Sequence, residues 1–224
     1  MPYESAEHHP AFEEYSETIY GLAEDGVEVI QARIAERLDV SRPAVSEMIR
    51  RMEREGLVET SADGEITLTS SGQELAATIV RRHRLAERFL VDMLGMNWTQ
   101  AHDEAGRWEH VISPQVEEAM LEKLGHPDTC PHGNPIPGTG YSAPPAAVRL
   151  SGVESGQGFT VLRIPEELEF EPGQLEFLES SGLMPGRRGT MLSIAPDGTA
   201  TVSVDDTPIG VGRPTAERIV VSVA

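Results

Sequence analysis

The sequence predicts an α+β chain of several modules: an N-terminal winged helix-turn-helix, a helical middle region and a small C-terminal β-barrel. Three changes of texture carry that expectation. Residues from about 10 to 75 alternate short amphipathic helical patterns with tight turns. Residues from about 76 to 125 form a long helical region with few breakers. The end of the chain falls into short β-rich runs divided by Gly, Pro and Asp turns.

The first pattern, FEEYSETIYGLAE, places Tyr15, Ile19 and Leu22 on one helical face. A second, VIQARIAERLDV, turns Ala32, Ile34, Ala35 and Leu38 inward. In VSRPAVSEMIRRMEREGLVE, Ser41 is a suitable N-cap and Pro43 sits in the first turn, where its missing N–H costs nothing. Val45, Ile49 and Met52 form the buried stripe and Gly56 closes the helix. Two helices joined by a short turn match a helix-turn-helix. The run LVETSADGEITLT alternates around Asp63-Gly64 as a hairpin wing. The first module spans 1–75.

The second helix of that unit carries Arg42, Arg50, Arg51 and Arg54 against Glu47 and Glu53. Local positive charge is what a phosphate-contacting face requires. A solvated helix with pairs such as Arg50 with Glu53 explains the same charges, so the order helix, turn, helix, wing carries the inference. Ser41, Pro43, Ala44 and Glu47 are the expected base-facing positions, with Arg42, Arg51 and Arg54 on phosphates of double-stranded DNA and Ser46 also at the DNA interface.

In the middle region, 76–142, His83 and Glu87 lie four apart and share a helical face. His102, Gly106, Glu109 and His110 share another. His102 and His110 stand roughly 12 Å apart along that helix, too far for one ion but suited to two. Cys130 and His132 follow in a Pro/Gly/Ser-rich stretch over 126–158, read as a linker or ordered loop. Mixed carboxylate and imidazole favours Mn, Fe, Co or Zn over Mg or Ca. In the last module, 143–224, the runs GFTVLRI, RGTMLSIA, TATVSV and RIVVSV surround one helical patch, Pro172 to Ser181. Four strands and a helix suit a compact barrel of about 70 residues.

The composition holds 37 Asp and Glu against 18 Lys and Arg, a net charge of −19, and Lys123 is the only lysine. Such an excess repels phosphate, unless the carboxylates serve concentrated salt, where screening shortens to about 3 Å. The loss of lysine agrees with salt adaptation. Cys130 is the only cysteine, which excludes an intramolecular disulfide. No apolar stretch approaches a membrane span and the acidic N-terminal sequence does not read as a signal peptide, so a cytoplasmic chain with no membrane partner is expected.

The runs QARIAERLDVSRPAVSEMIRRMEREGLV, RRHRLAERFL, HDEAGRWEHVIS and GNPIPG resemble the diphtheria-toxin-repressor family of iron- and manganese-dependent regulators, over nearly the whole chain. The resemblance implies a homodimer with a winged-helix domain, a helical dimerisation and metal-binding domain, and an SH3-like (FeoA-like) C-terminal barrel. It implies two sites for Mn2+ or Fe2+ and no organic cofactor. The primary, activating site falls on Glu14, Gly106, Glu109 and His110, bridging the first helix to the dimerisation helix. The ancillary site falls on His83, Glu87 and His102, completed by Glu171 and Gln174 or, as in some manganese-responsive members, by Cys130 and His132. The iron-dependent branch has Met and Cys where this chain has Glu14 and Gly106, a shift towards hard oxygen donors and hence towards manganese. The family's Gln on the recognition helix is Glu47 here, which would accept from cytosine N4.

Two other readings compete: a winged-helix regulator whose histidines are structural, and a metal-dependent hydrolase or isomerase. The chain lacks the H-E-x-x-H pattern, a Gly-rich phosphate loop and a nucleophile elbow, so a non-enzymatic regulator is the expectation.

Overall fold

The computed structural model describes residues 10–223. The reading unit consists of α1 (Pro10–Glu24), α2 (Gln31–Arg37), α3 (Arg42–Arg54) and a hairpin of β1 (Val58–Thr60) with β2 (Ile66–Leu68). Ser41 caps α3 by accepting from the Ala44 N–H at 3.4 Å, with Pro43 in the first turn. Val45, Ile49 and Met52 of α3 join Tyr15, Ile19 and Leu22 of α1, Ile34 of α2 and Leu57, Val58 and Ile66 of the wing in one core. Five short elements thus hold each other in place, since none is long enough to be stable alone.

The middle region is three helices, not one long run: α4 (Ser70–Leu94), α5 (Trp98–Trp108) and α6 (Pro114–Leu124). The breaks follow local chemistry. α4 ends on left-handed Gly95; the Asn97 side chain caps α5 at the Gln100 N–H, and Ser113 caps α6 ahead of Pro114. Glu109 and His110 consequently lie at the end of α5, where the chain turns, rather than inside a long helix.

The C-terminal module contains β3 (Ala147–Arg149), β4 (Gly158–Arg163), α7 (Glu166–Glu169), α8 (Gln174–Ser180), β5 (Arg188–Ile194), β6 (Ala200–Val204), β7 (Thr207–Val211), α9 (Arg213–Ala216) and β8 (Val220–Val223). Its six strands pair antiparallel in the order β3-β8-β4-β5-β6-β7. β3 and β7 exceed the four expected strands. β7 contains Pro208 and Gly210 and lies at the sheet edge, where proline breaks no ladder.

Trp98, at the start of α5, is 1 % exposed and packs into the core of the C-terminal sheet with Leu150, Phe159, Val161 and Leu178. The middle and last modules therefore share apolar packing. The Pro/Gly stretch between them is ordered where it matters: Cys130 N–H donates to Asn134 O and Ile164 N–H donates to His132 O. Gly133 has φ +84°, and a Cβ there would collide with the Leu162 carbonyl oxygen. Only glycine permits that approach of loop to strand.

Candidate metal centre

Helix α4 brings His83 and Glu87 to one face, one turn apart, and both are buried. Around them α5 places His102, the ordered loop places Cys130 and His132, and α7 places Glu169. His102 Nδ1 lies 3.0 Å from Glu87 Oε1 and 3.2 Å from Glu169 Oε2. His132 Nδ1 lies 3.1 Å from Glu169 Oε1 and 3.5 Å from Glu87 Oε1. His83 Nε2 lies 3.2 Å from Glu87 Oε1. The donor atoms of His83, Glu87, His102 and Glu169 fall within 4.8 Å of one another, as do those of Glu87, Cys130 and His132.

Glu87 and Cys130 are 1 % exposed and His132 is fully buried, so each ionised group here needs an opposite charge to offset the loss of water. Burial disfavours the imidazolium of His102, yet its hydrogen bonds to Glu169 and Glu87 prevail and raise its pKa to about 9. Burial opposes the charging of His132 as well, and the Glu169 and Glu87 carboxylates carry it well above its ordinary range. Burial works against the charge on Glu169 too, but His132 and His102 lower its pKa to about 2. Burial pushes the Cys130 thiol up, with the Glu87 charge adding to it.

A divalent cation fits this cluster. Glu87 Oε2 and both ring nitrogens of His132 are buried without a well-formed hydrogen bond among the described residues. Glu87 Oε2 and, in the neutral imidazole, one nitrogen of His132 offer lone pairs for which a cation is the natural partner. A bound cation would supply the positive charge that the cluster, without it, draws from protons on its histidines.

A second group forms on the other side of the His83 ring. Nδ1 lies 2.5 Å from Glu109 Oε2 and 3.8 Å from Glu17 Oε1. Burial and the nearby Glu109 carboxylate raise the Glu17 pKa well above normal. His110 Nδ1 bonds to Glu13 Oε2 at 2.7 Å and its Nε2 stands 3.3 Å from Glu109 Oε1. A cavity of about 230 Å³ opens here, lined by Glu14, Glu17, Gly106, Glu109 and His110 among others.

All four residues expected at the activating site line that one cavity, but Glu14 is exposed and the close donors from α1 are Glu17 and Glu13. Gly106 leaves open space, with nothing within 4 Å of the point where a Cβ would stand. Of the expected ancillary residues, His83, Glu87, His102, Cys130 and His132 converge, whereas Glu171 and Gln174 do not. Glu171 is exposed, and the Gln174 side chain turns to Thr215 Oγ1 at 3.4 Å. Glu169, the last residue of α7, faces the cluster instead, on His102 and His132. Sequence reasoning missed Glu169 and Glu17; the second carries a signal, since Glu13 and Glu17 stand one turn apart on α1.

The recognition helix exposes Ser41, Arg42, Pro43, Ala44, Glu47, Arg50 and Arg54, with Ser46 half-buried and accepting from Arg50 at 2.8 Å. Arg51, expected on phosphate, is half-buried with its guanidinium 5.3 Å from the centre of the Phe12 ring. The side chains that the solvated-helix reading would pair turn elsewhere: Glu53 accepts from Thr60 in the wing at 2.6 Å.

A winged helix-turn-helix joined to a buried His/Glu/Cys cluster and a small antiparallel sheet defines a metal-responsive DNA-binding regulator. Residues 9–66 match the iron dependent repressor N-terminal DNA binding domain, residues 69–138 the iron dependent repressor metal binding and dimerisation domain, and residues 148–223 the FeoA domain. The chain belongs to the iron-dependent repressor family, the metal-dependent transcriptional repressors that include the diphtheria toxin repressor. It is 41 % identical over 202 residues to the iron-dependent repressor IdeR of Mycobacterium tuberculosis, covering 86 % of this chain and 87 % of that protein. It is 38 % identical over 208 residues to the diphtheria toxin repressor of Corynebacterium glutamicum, covering 87 % and 91 %. Among solved structures, a manganese-dependent transcriptional repressor in complex with manganese superposes with a TM-score of 0.84 at 35 % identity, over 95 % of this chain and 100 % of that one. No helix among the described residues is long and apolar enough to cross a membrane.

Proposed function

We propose that this chain is a homodimeric, Mn2+- or Fe2+-activated repressor of genes for metal-ion uptake and homeostasis, acting on double-stranded operator DNA in the cytoplasm. One observation carries the reading: buried and half-buried donors from α1, α4, α5, the Cys130–His132 loop and α7 gather around His83 and Glu87. Three buried atoms of this cluster, Glu87 Oε2 and the two ring nitrogens of His132, lack a well-formed hydrogen bond, and a bound cation accounts for them better than a purely structural role.

Two ions per protomer suit the two groups. The residues to hold them are Glu14, Glu17, Glu109 and His110, with the Gly106 carbonyl, at the activating site, and His83, Glu87, His102, Cys130, His132 and Glu169 at the other. Carboxylate-rich donors favour Mn2+ or Fe2+ over softer ions. We take 1–75, 76–142 and 143–224 as the functional modules; the packing of Trp98 into the core of the C-terminal sheet supports a link between the second and the third.

Glu13 and Glu17 tie α1, and with it the reading unit, to the end of α5. That tie sets the spacing of two recognition helices for major grooves roughly 34 Å apart. Exposed apolar side chains on or beside α4 to α6, Met93, Leu94, Val111 and Val116, are available to a second copy. In this reading Arg42 and Arg54 meet phosphates and Ser41, Pro43, Ala44 and Glu47 meet base edges, a reading supported by the exposure of these residues on the recognition helix.

The test is operator binding by fluorescence anisotropy at high salt, with Mn2+, Fe2+, Co2+ or Zn2+ added to metal-stripped protein, alongside elemental analysis. Affinity should rise with Mn2+ or Fe2+, and Glu14→Ala and Glu17→Ala should each remove that rise. Equal affinity without metal would return the chain to the class of regulators whose histidines are structural.

A further inference from the structure

The four residues of α7 reach in different directions. The Glu166 carboxylate pairs with Arg84 Nη2 of α4 at 2.7 Å. It also rests on Gly21 of α1, where a Cβ would stand 2.9 Å from Glu166 Oε1. The Glu166 carbonyl accepts from Arg37 Nη1 of α2 at 3.2 Å. The Glu167 N–H donates to Asp25 Oδ2, just beyond α1, at 2.9 Å. Leu168 enters the core of the C-terminal sheet. Glu169 faces the other way, onto His102 and His132, and accepts from Asn134 Nδ2 at 2.6 Å.

Two arginines complete the link. Arg84, the residue after His83, also bonds to Glu24 of α1 at 2.7 Å and to the Pro135 carbonyl at 2.6 Å. Arg163, at the end of β4, holds Glu24 at 2.9 Å, Asp25 at 2.5 Å and Asn134 at 2.5 Å. Beside them the Arg37 guanidinium lies 4.1 Å from the centre of the Phe170 ring, the residue following Glu169.

We propose that α7 is the lever that passes occupancy of the His83/Glu87/His102/Cys130/His132/Glu169 cluster to the reading unit, with Glu166 seated on Gly21 as its positioning contact. This deepens the function proposed above and rests on it. A helix of one turn is roughly 6 Å long and has no interior at which to bend. Holding Glu169 firmly in the cluster therefore fixes Glu166 and Glu167, and these grip α1 and α2. The grip adds to the tie made through Glu17. By reciprocity, loosening the grip on α1 must weaken metal binding at a cluster whose own donors are untouched.

The experiment uses the full chain with Glu166→Gln and, separately, Gly21→Ala. The second keeps every charge, favours the helix intrinsically and presses on Glu166, so it guards against a folding defect in the first. Mn2+ affinity is measured by calorimetry without DNA. The distance between dyes on Asp63→Cys in the wing and Ser155→Cys on the C-terminal module is followed by fluorescence energy transfer. In the parent, Mn2+ narrows the distance distribution. In both variants the distribution stays broad and Mn2+ affinity falls by about 5-fold or more. Parent-like affinity and narrowing in both variants would overturn the lever alone. Weaker Mn2+ binding with undiminished narrowing would also overturn it, since Glu166 would then merely shape the cluster. A parent that takes up no Mn2+ would overturn the proposed function together with the lever.

Discussion

Glu109 Oε2 sits 2.5 Å from His83 Nδ1, while the opposite nitrogen of the same ring faces Glu87 at 3.2 Å. One imidazole thus stands between two donor groups, and a cation on Nε2 leaves the proton on Nδ1 to donate to Glu109. The ring is both a ligand of one group and an orienting partner of the other.

His83→Ala is therefore expected to weaken Mn2+ binding at both groups, by about 10- to 100-fold. Calorimetric titration of metal-stripped protein reads both isotherms. Loss confined to one of them would show that the ring serves one group only.

Replacing Glu169 separates the geometry from the spacing-based expectation. Glu169→Ala should lower Mn2+ affinity by about 10- to 100-fold, and Glu171→Ala, at an exposed position, should leave it within about 2-fold. The reverse order in a metal titration would restore Glu171 as the ligand.

Metal uptake should release protons near neutral pH. His102, raised to about 9, with His83 and His132 also raised, is protonated at pH 7 without metal, and a cation must displace those protons. Affinity is expected to climb from pH 6.5 to about 9, and calorimetry in buffers of different ionisation heat counts the protons released. For metal-free protein the sign is opposite. The stabilisation from His102 is complete below its unfolded value of 6.5 and is lost as pH rises through about 9. The part contributed by Glu169 is present above 4.5 and is lost as pH falls through about 2.

Gly133→Ala should destabilise the fold by about 3 kcal/mol, since it combines a left-handed backbone with a collision against Leu162 O. A thermal melt measures this. Because Cys130 and His132 are on the same loop, Mn2+ should recover less of the lost stability than it adds to the parent.

The reading unit was legible because its information is local: the Ser41 cap, Pro43 and the Val45/Ile49/Met52 stripe are each set by neighbours a few residues away. His83, Glu87, Cys130 and His132 were legible by type and spacing. Glu169 was not, because α7 is too short to show a period and its direction comes from Leu168 in the sheet core and Glu166 on Arg84. Glu14 and Glu17 differ by most of a helical turn, and which one meets His83 depends on how α1 packs against α4. Strand β7 escaped notice because Pro208 and Gly210 read as turn residues; only its place at the sheet edge makes them acceptable.

Gly106 borders the cavity lined by Glu14, Glu17, Glu109 and His110, with unfilled room beside its α-carbon. A Cβ there meets no atom within 4 Å, so a cysteine, adding a soft sulfur donor, could be introduced without crowding its β-carbon, whereas most other donors are locked into ion pairs. Ion preference in this molecule is consequently open to revision by one codon, and a lineage moving between iron-poor and manganese-poor habitats could retune its sensor without rebuilding the scaffold.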